Sequence, residues 1–201
     1  MPIRAYDRFS PATVQGPYRV QDYLDLTEPE ERCELLLGHF FMSPSPNVAH
    51  QVVIKELLEA LSAPARACGD LVLASPIDVV LSPMTVVQPD VVYVAASNRS
   101  IVGHARIEGP PDLLVEVLSP ATARRDRIEK LNLYRRAGVR EYWLIDPGGR
   151  TFEFLDLTSD SAVVRLPNDD LYESDSLPQL RVELAGFWER VARVLGNEEP
   201  K

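Results

Sequence analysis

Four acidic side chains stand in stretches of sequence where an isolated charge is costly. Glu116 interrupts the apolar run Leu-Leu-Val-Glu-Val-Leu, and Asp90 follows Gln88-Pro89 and opens Val-Val-Tyr-Val. Asp78 lies in Ser-Pro-Ile-Asp-Val-Val and Glu34 in Arg-Cys-Glu-Leu-Leu-Leu. An ionised carboxylate packed among such residues needs a partner. Acids converging from adjacent strands make an oxygen-ligand site for a hard divalent cation, Mg²⁺ above all. Taken singly, each acid also reads as a solvent-facing strand end or as the partner of an arginine.

The use of lysine bears on the choice. Eighteen of the twenty-one basic residues are Arg and three are Lys, yet Lys130 is kept in the helical stretch after Glu116. An ammonium beside a metal-bound water can orient it or stabilise charge on phosphorus, or move a proton if its pKa falls. A helix-surface lysine with its head in solvent is the alternative. Tyr134, four residues on, shares the face of Lys130 and reads first as a packing residue.

Other chemistries lack their motifs. There is no GxSxG elbow, no GxxxxGK[ST] phosphate loop and no GxGxxG after a strand. His39, His50 and His104 are too scattered for a HExxH site, and Cys33 and Cys68 form no CxxC.

The elements that must carry these residues follow from periodicity. Residues 33–42 read as a hairpin turning at Gly38, and Ser45 or Asn47 can cap a helix running to Leu61, with Val53, Leu57 and Leu61 on one face. Strands are expected over 71–81, 86–95 and 113–118, with a polar loop and helical turn over 96–111. A helix over 123–137 stopped by Gly138, a strand over 139–146, a hairpin over 151–157 and 162–166, and a final amphipathic helix over 184–195 complete the order. Strand, helix and strand over 113–146 imply a parallel pair inside a mixed sheet, and so an α/β domain with helices on both faces.

At 201 residues and 22.5 kDa, about 70% of the unfolded surface is expected to be buried, enough for one domain without staples. No apolar run approaches the roughly 18 residues of a membrane span, and the start Met1-Pro2-Ile3-Arg4 resembles no signal peptide, so a cytoplasmic protein without a membrane partner is expected. Thirty acids against twenty-one bases give a net charge of −9, which argues against nucleic acid at first sight. The charge is uneven, however. Residues 124–140 carry seven bases against two acids, a local +5, while 151–180 carry seven acids against Arg165. The basic run holds Lys130 and makes Arg124, Arg125 and Arg127 candidate phosphate contacts, or else one solvated helix face.

Gln88-Pro89-Asp90, Val115-Glu116-Val117-Leu118-Ser119-Pro120-Ala121-Thr122, Lys130 with Tyr134, and Gly138-Val139-Arg140-Glu141-Tyr142-Trp143-Leu144-Ile145-Asp146-Pro147 together resemble the Uma-two family of restriction endonucleases, in the PD-(D/E)XK nuclease superfamily. Tyr23-Leu24, Glu34, Gly38, Ser43-Pro44-Ser45-Pro46 and His50 extend the resemblance, which covers about 18–157. It implies a restriction-endonuclease-like α/β core, a mixed central sheet flanked by helices, with an N-terminal hairpin and a C-terminal hairpin plus helix. The chain then reads as one nuclease-like domain: an arm over 1–30, a core over 31–147 and an extension over 148–201. The resemblance also implies a Mg²⁺ or Mn²⁺ site of Asp90 and Glu116 with Glu34 as a further acid. The superfamily's lysine belongs two residues after Glu116, where this chain has Leu118, and Lys130 matches a migrated position. Family members often read Glu-Leu-Ile-Asp-Gly-Glu where this chain has Glu34-Leu35-Leu36-Leu37-Gly38-His39. His50 is a further candidate for phosphate or metal-bound water, or a capping residue, and Asp78 and Tyr134 stand behind the main set.

The activity implied is metal-assisted hydrolysis of DNA phosphodiesters by a homodimer. A reading of another class is a catalytically silent nucleic-acid-binding or protein-assembly module on the same fold.

Overall fold

A computed structural model describes residues 16–26, 32–43 and 45–196. Most of the expected arm, residues 1–15 and 27–30, lies outside them. Within the arm, Val20–Leu24 forms a short helix (α1), and the backbone N–H of Val20 donates to the Pro83 carbonyl at 3.0 Å.

The expected N-terminal hairpin is formed by β1 (Arg32–Leu36) and β2 (His39–Ser43). Leu37 and Gly38 at its tip have φ of 50° and 82°, the signs a type I′ turn requires. Asp-Gly is favoured chemistry for such a turn, and this chain places Leu-Gly there. Leu37 is an exposed tip residue.

Asn47 caps the long helix α2 (Val48–Cys68), its side chain accepting from the His50 N–H at 2.9 Å. The helix runs a further two turns beyond the expected end at Leu61, through Pro64. Ala65 is buried on the same stripe as Leu57 and Leu61, and Gly69 closes the helix in the left-handed conformation. Burying each of those leucines is worth about 2 kcal/mol, which outweighs much of the cost of one lost helical hydrogen bond.

The larger correction concerns the two strands expected over 71–81 and 86–95. Each is two strands: β3 (Leu71–Ala74) and β4 (Val79–Ser82), then β5 (Thr85–Val87) and β6 (Val91–Val94). Proline has no N–H for a ladder, and Pro76 and Pro89 fall opposite one another, so the long hairpin bends at both arms. Beyond the bend β4 and β5 join a five-stranded sheet of order β2-β1-β5-β4-β7, where β7 is Ile107–Glu108. Before it, β3 and β6 belong to a six-stranded sheet. Asp90 stands on this corner, its carbonyl accepting from the Ser75 N–H at 3.0 Å.

The six-stranded sheet continues with β8 (Leu113–Val117), β9 (Glu141–Asp146), β10 (Thr151–Asp156) and β11 (Val163–Arg165), in the order β11-β10-β9-β8-β6-β3. Its one parallel pair is β8 with β9, register Glu116 to Leu144, as the crossover requires. Val91, Tyr93, Val115, Val117, Trp143 and Ile145 face α2 and the closing helix α4 (Leu184–Leu195). The alternate residues Val92, Leu114, Tyr142 and Leu144 pack on the other side with Tyr134. Period-two alternation therefore aims Glu116 at the crossover helix.

That helix covers the expected 123–137, but its middle is π-helical over Arg125–Lys130 before α3 (Leu131–Ala137). A hairpin of β12 (Leu171–Glu173) and β13 (Arg181–Glu183), which the sequence pattern does not reveal, precedes α4. Among the described residues no helix is long and apolar enough to cross a membrane.

Candidate active site

The corner at Asp90, the end of β8, the inner face of β1, the first turn of α2 and the π-helical turn surround one cleft of about 550 Å³. Lys130 is buried at its floor. Its Nζ stands 2.9 Å from Glu34 Oε1, 2.8 Å from Glu116 Oε1 and 3.7 Å from Asp126 Oδ1. The Tyr134 hydroxyl donates to the same Glu116 oxygen at 2.8 Å. Three carboxylates from β1, β8 and the helix thus share one ammonium.

Asp90 has its own partners. Its Oδ2 accepts from the Val117 N–H at 2.8 Å and its Oδ1 from Arg32 Nη1 at 3.3 Å. His50 Nε2 stands 3.1 Å from that Oδ1, within reach of charge attraction but off the line of a hydrogen bond, so the atom has no hydrogen-bonding partner.

The electrostatics divide the acids. Burial pushes the Asp90 carboxyl up, but His50, the Val117 N–H and Arg32 together outweigh it and hold it below its usual range. For Glu116 burial wins: its carboxyl is raised well above the ordinary value despite Lys130, with Asp126, Asp90 and Glu34 adding repulsion. Asp126 is raised for the same first reason, against the pull of Lys130. Burial alone acts to lower the Lys130 ammonium, yet Glu116, Glu34 and Asp126 raise it above its ordinary value. The direction favours Lys130 as a positive charge over the third possibility read for it, a proton donor and acceptor of lowered pKa. Tyr134 is likewise raised, first by burial and then by Glu116, which leaves it a neutral donor.

Glu34, Asp90, Lys130 and His50 line the cleft; Glu116 is buried just behind the wall, reached through Lys130 and supported by Tyr134. Asp78 stands behind it, accepting from the Tyr23 hydroxyl at 2.7 Å and from Gln88 Nε2 at 2.9 Å. Of the basic run, Arg127 lines the cleft and is paired with Glu153. Arg125 lies over the Phe41 ring, 4.4 Å from its centre, and Arg124 projects into solvent beside Glu129; neither lines the cleft.

Two contributors escaped the sequence. Asp126 looked like one of two acids diluting a basic run; its spacing of four from Lys130 was the available signal, and the π-helical turn brings both inward. Arg32 flanked a candidate acid and carried no signal of its own.

Four buried side-chain atoms among the described residues have no hydrogen-bonding partner: Arg32 Nε, Glu34 Oε2, His50 Nε2 and Gln88 Oε1. All four belong to residues of this one cleft. Leaving such an atom unpaired costs about 1–3 kcal/mol, so their concentration marks a place built to meet a ligand. The carboxylate donors suit a hard divalent cation. The orphaned Glu34 Oε2 and the excess of acids over Lys130 both leave negative charge for one to offset. Among the described residues no three acidic, imidazole or thiol groups stand at metal-ligand spacing, and Glu34 and Glu116 are both paired with Lys130.

A mixed sheet with a bent antiparallel hairpin, a parallel crossover and acids gathered at its end defines a restriction-endonuclease-like α/β fold. The Uma2 family, described as "Putative restriction endonuclease", matches residues 20–185, and the chain belongs to it. A solved structure described as a "putative nuclease belonging to DUF820" from Anabaena variabilis is similar at a TM-score of 0.73 and 18% identity, over 87% of this chain and 99% of that one. At that identity the likeness speaks to the fold. No curated protein matches.

Proposed function

We propose that the chain is a divalent-metal-dependent endonuclease that hydrolyses phosphodiester bonds of DNA. The observation that supports this reading is the gathering of every unpartnered buried side-chain N or O atom among the described residues at the cleft lined by Glu34, Asp90 and Lys130, with Glu116 bonded to Lys130 behind it. In this reading Asp90, Glu116 and Glu34 hold Mg²⁺ or Mn²⁺. When bound, the ion supplies Lewis-acid chemistry, lowering the pKa of water and offsetting charge on the scissile phosphate. Lys130 supplies a permanent positive charge toward the developing oxyanion, and Asp126 and Tyr134 keep its neighbours in register. The test is plasmid cleavage with Mg²⁺ or Mn²⁺ by the native chain, Glu116→Ala and Lys130→Ala. Loss of cleavage in both variants is expected, and equal activity in all three refutes the assignment.

One observation favours the second reading, a silent module: Asp90, Glu34 and Glu116 are each already matched by a resident cationic side chain. Calorimetry separates the two, because the silent module binds neither Mg²⁺ nor Mn²⁺. Homodimerisation belongs to the proposal as well. The sheet edge β11 presents Val163, Val164 and nearby Leu166 to solvent, an apolar edge suited to a second copy. Sedimentation giving only a 22.5 kDa species at micromolar concentration removes it.

A further inference from the structure

We propose that Arg32, assisted by His50, is the substrate-phosphate anchor of this cleft, a role that rests on the nuclease reading above. Four basic side chains line the cleft: Arg32, His50, Arg127 and Lys130. Lys130 is saturated by Glu34, Glu116 and Asp126, and Arg127 is held by Glu153. Arg32 and His50 alone among these four keep a buried nitrogen without an in-line hydrogen bond, Nε in one and Nε2, beside Asp90, in the other.

The two side chains meet at Asp90. Arg32 Nη1 and His50 Nε2 lie 3.3 Å and 3.1 Å from the same Asp90 oxygen. Arg32 is pinned from behind, because its Nη2 donates to the Gln88 carbonyl at 2.6 Å. His50 is fixed in the first turn of α2 by the Asn47 cap. A guanidinium so held keeps one N–H, at Nε, for an incoming acceptor, and a charged N–H donor suits a phosphate oxygen.

The unpartnered atoms also differ in kind. Glu34 Oε2 and Gln88 Oε1 accept, whereas Arg32 Nε donates and His50 Nε2 can. A bare cation satisfies only the first pair and an anion only the second. A phosphodiester bound beside a hydrated cation satisfies both. Asp90 lies between the two halves, and whatever cation it takes up competes with Arg32 for its Oδ1, leaving the guanidinium for the substrate.

A merely structural role for Arg32, neutralising Asp90, is separated by a double substitution. Binding of a fluorescent 20-base-pair DNA duplex is followed by anisotropy in EDTA across a salt series, for Asp90→Asn and for Asp90→Asn/Arg32→Ala. A phosphate contact predicts about tenfold weaker binding on removing Arg32 even without the Asp90 charge, and a salt slope shallower by about 0.9. Arg32→Lys in the same background restores the slope. Unchanged affinity and slope on removing Arg32 overturn the proposal, as does an Asp90→Asn chain that binds no duplex at low salt. Because no cleavage is measured, the nuclease reading stands or falls separately, on the metal-dependent assay of Glu116→Ala and Lys130→Ala.

Discussion

Glu116 and Glu141 are buried carboxylates on the paired parallel strands β8 and β9, at opposite ends and on opposite faces. Glu141 sits in a cage: Trp143 Nε1 donates at 2.9 Å, Tyr172 at 3.3 Å, Ser176 at 2.5 Å, and Ser174 also donates. No cation is needed, and no unpartnered buried side-chain atom lies among these residues. Glu116 has Lys130 and Tyr134 on a single oxygen, three other acids around it, and a carboxyl pushed well above its ordinary range by burial. Equal burial thus hides opposite purposes. A carboxylate surrounded by neutral donors ties the C-terminal hairpin to the sheet; one surrounded by other acids leans on the single ammonium of Lys130.

The contrast breaks most sharply under amide substitution, where the two sites should respond in opposite senses. Glu116→Gln is expected to lower metal-dependent DNA cleavage at least about a hundredfold, as expected when a ligand or charge acting in the transition state is lost. The same change should leave the melting temperature level or raise it, because it removes an ionised group that the fold disfavours. The sign follows from linkage: a carboxyl raised on folding costs stability as pH climbs above its unfolded value of about 4.3. The advantage of Gln over Glu should therefore vanish below about pH 4 and grow toward neutrality, read from urea unfolding at several pH values. A steep drop in melting temperature at pH 7 would remove the distinction between the two sites.

Glu141→Gln is expected to do the reverse. An amide offers one acceptor oxygen where four donors converge, and its NH₂ meets donors head-on, so about 3 kcal/mol should be lost. For a chain of this size that is a fall of roughly 6–12 °C in melting temperature. Cleavage measured well below the new midpoint should stay within about twofold of native. A smaller effect is expected for Tyr134→Phe, which deletes one neutral donor to Glu116 and keeps the ring against Tyr142: about 1 kcal/mol of stability.

The same contrast explains what the amino-acid sequence could disclose. Glu34, Asp90 and Glu116 were visible because each breaks a local apolar pattern, and Lys130 because lysine is scarce here. Those signals live within a few residues. What escaped depends on long-range geometry or subtle backbone register. The bend at Pro76 and Pro89 sends halves of each strand into different sheets, and it required knowing that the two prolines face one another. Asp126 joins the cluster through a π-helical turn, which local periodicity does not encode. Arg32 is defined by what it fails to meet, a property of packing alone. Glu141 was read only as part of the stretch resembling the family, since its four donors come from β9 and from residues 172–176, in a hairpin region the pattern did not reveal.

The smallest expected effect tests whether the departure from the family's hairpin matters to the cleft. Leu37 holds φ of 50° at an exposed tip, a conformation that costs a leucine roughly 1 kcal/mol and an aspartate or asparagine less. Leu37 does not line the cleft, whereas Glu34, three residues earlier in β1, does. Leu37→Asp should therefore raise stability by about 0.5 kcal/mol and leave DNA cleavage unchanged. If cleavage instead rose severalfold, the hairpin tip would have to reach the substrate beyond the cleft wall, and the boundary drawn here between supporting and reacting residues would move outward to include it.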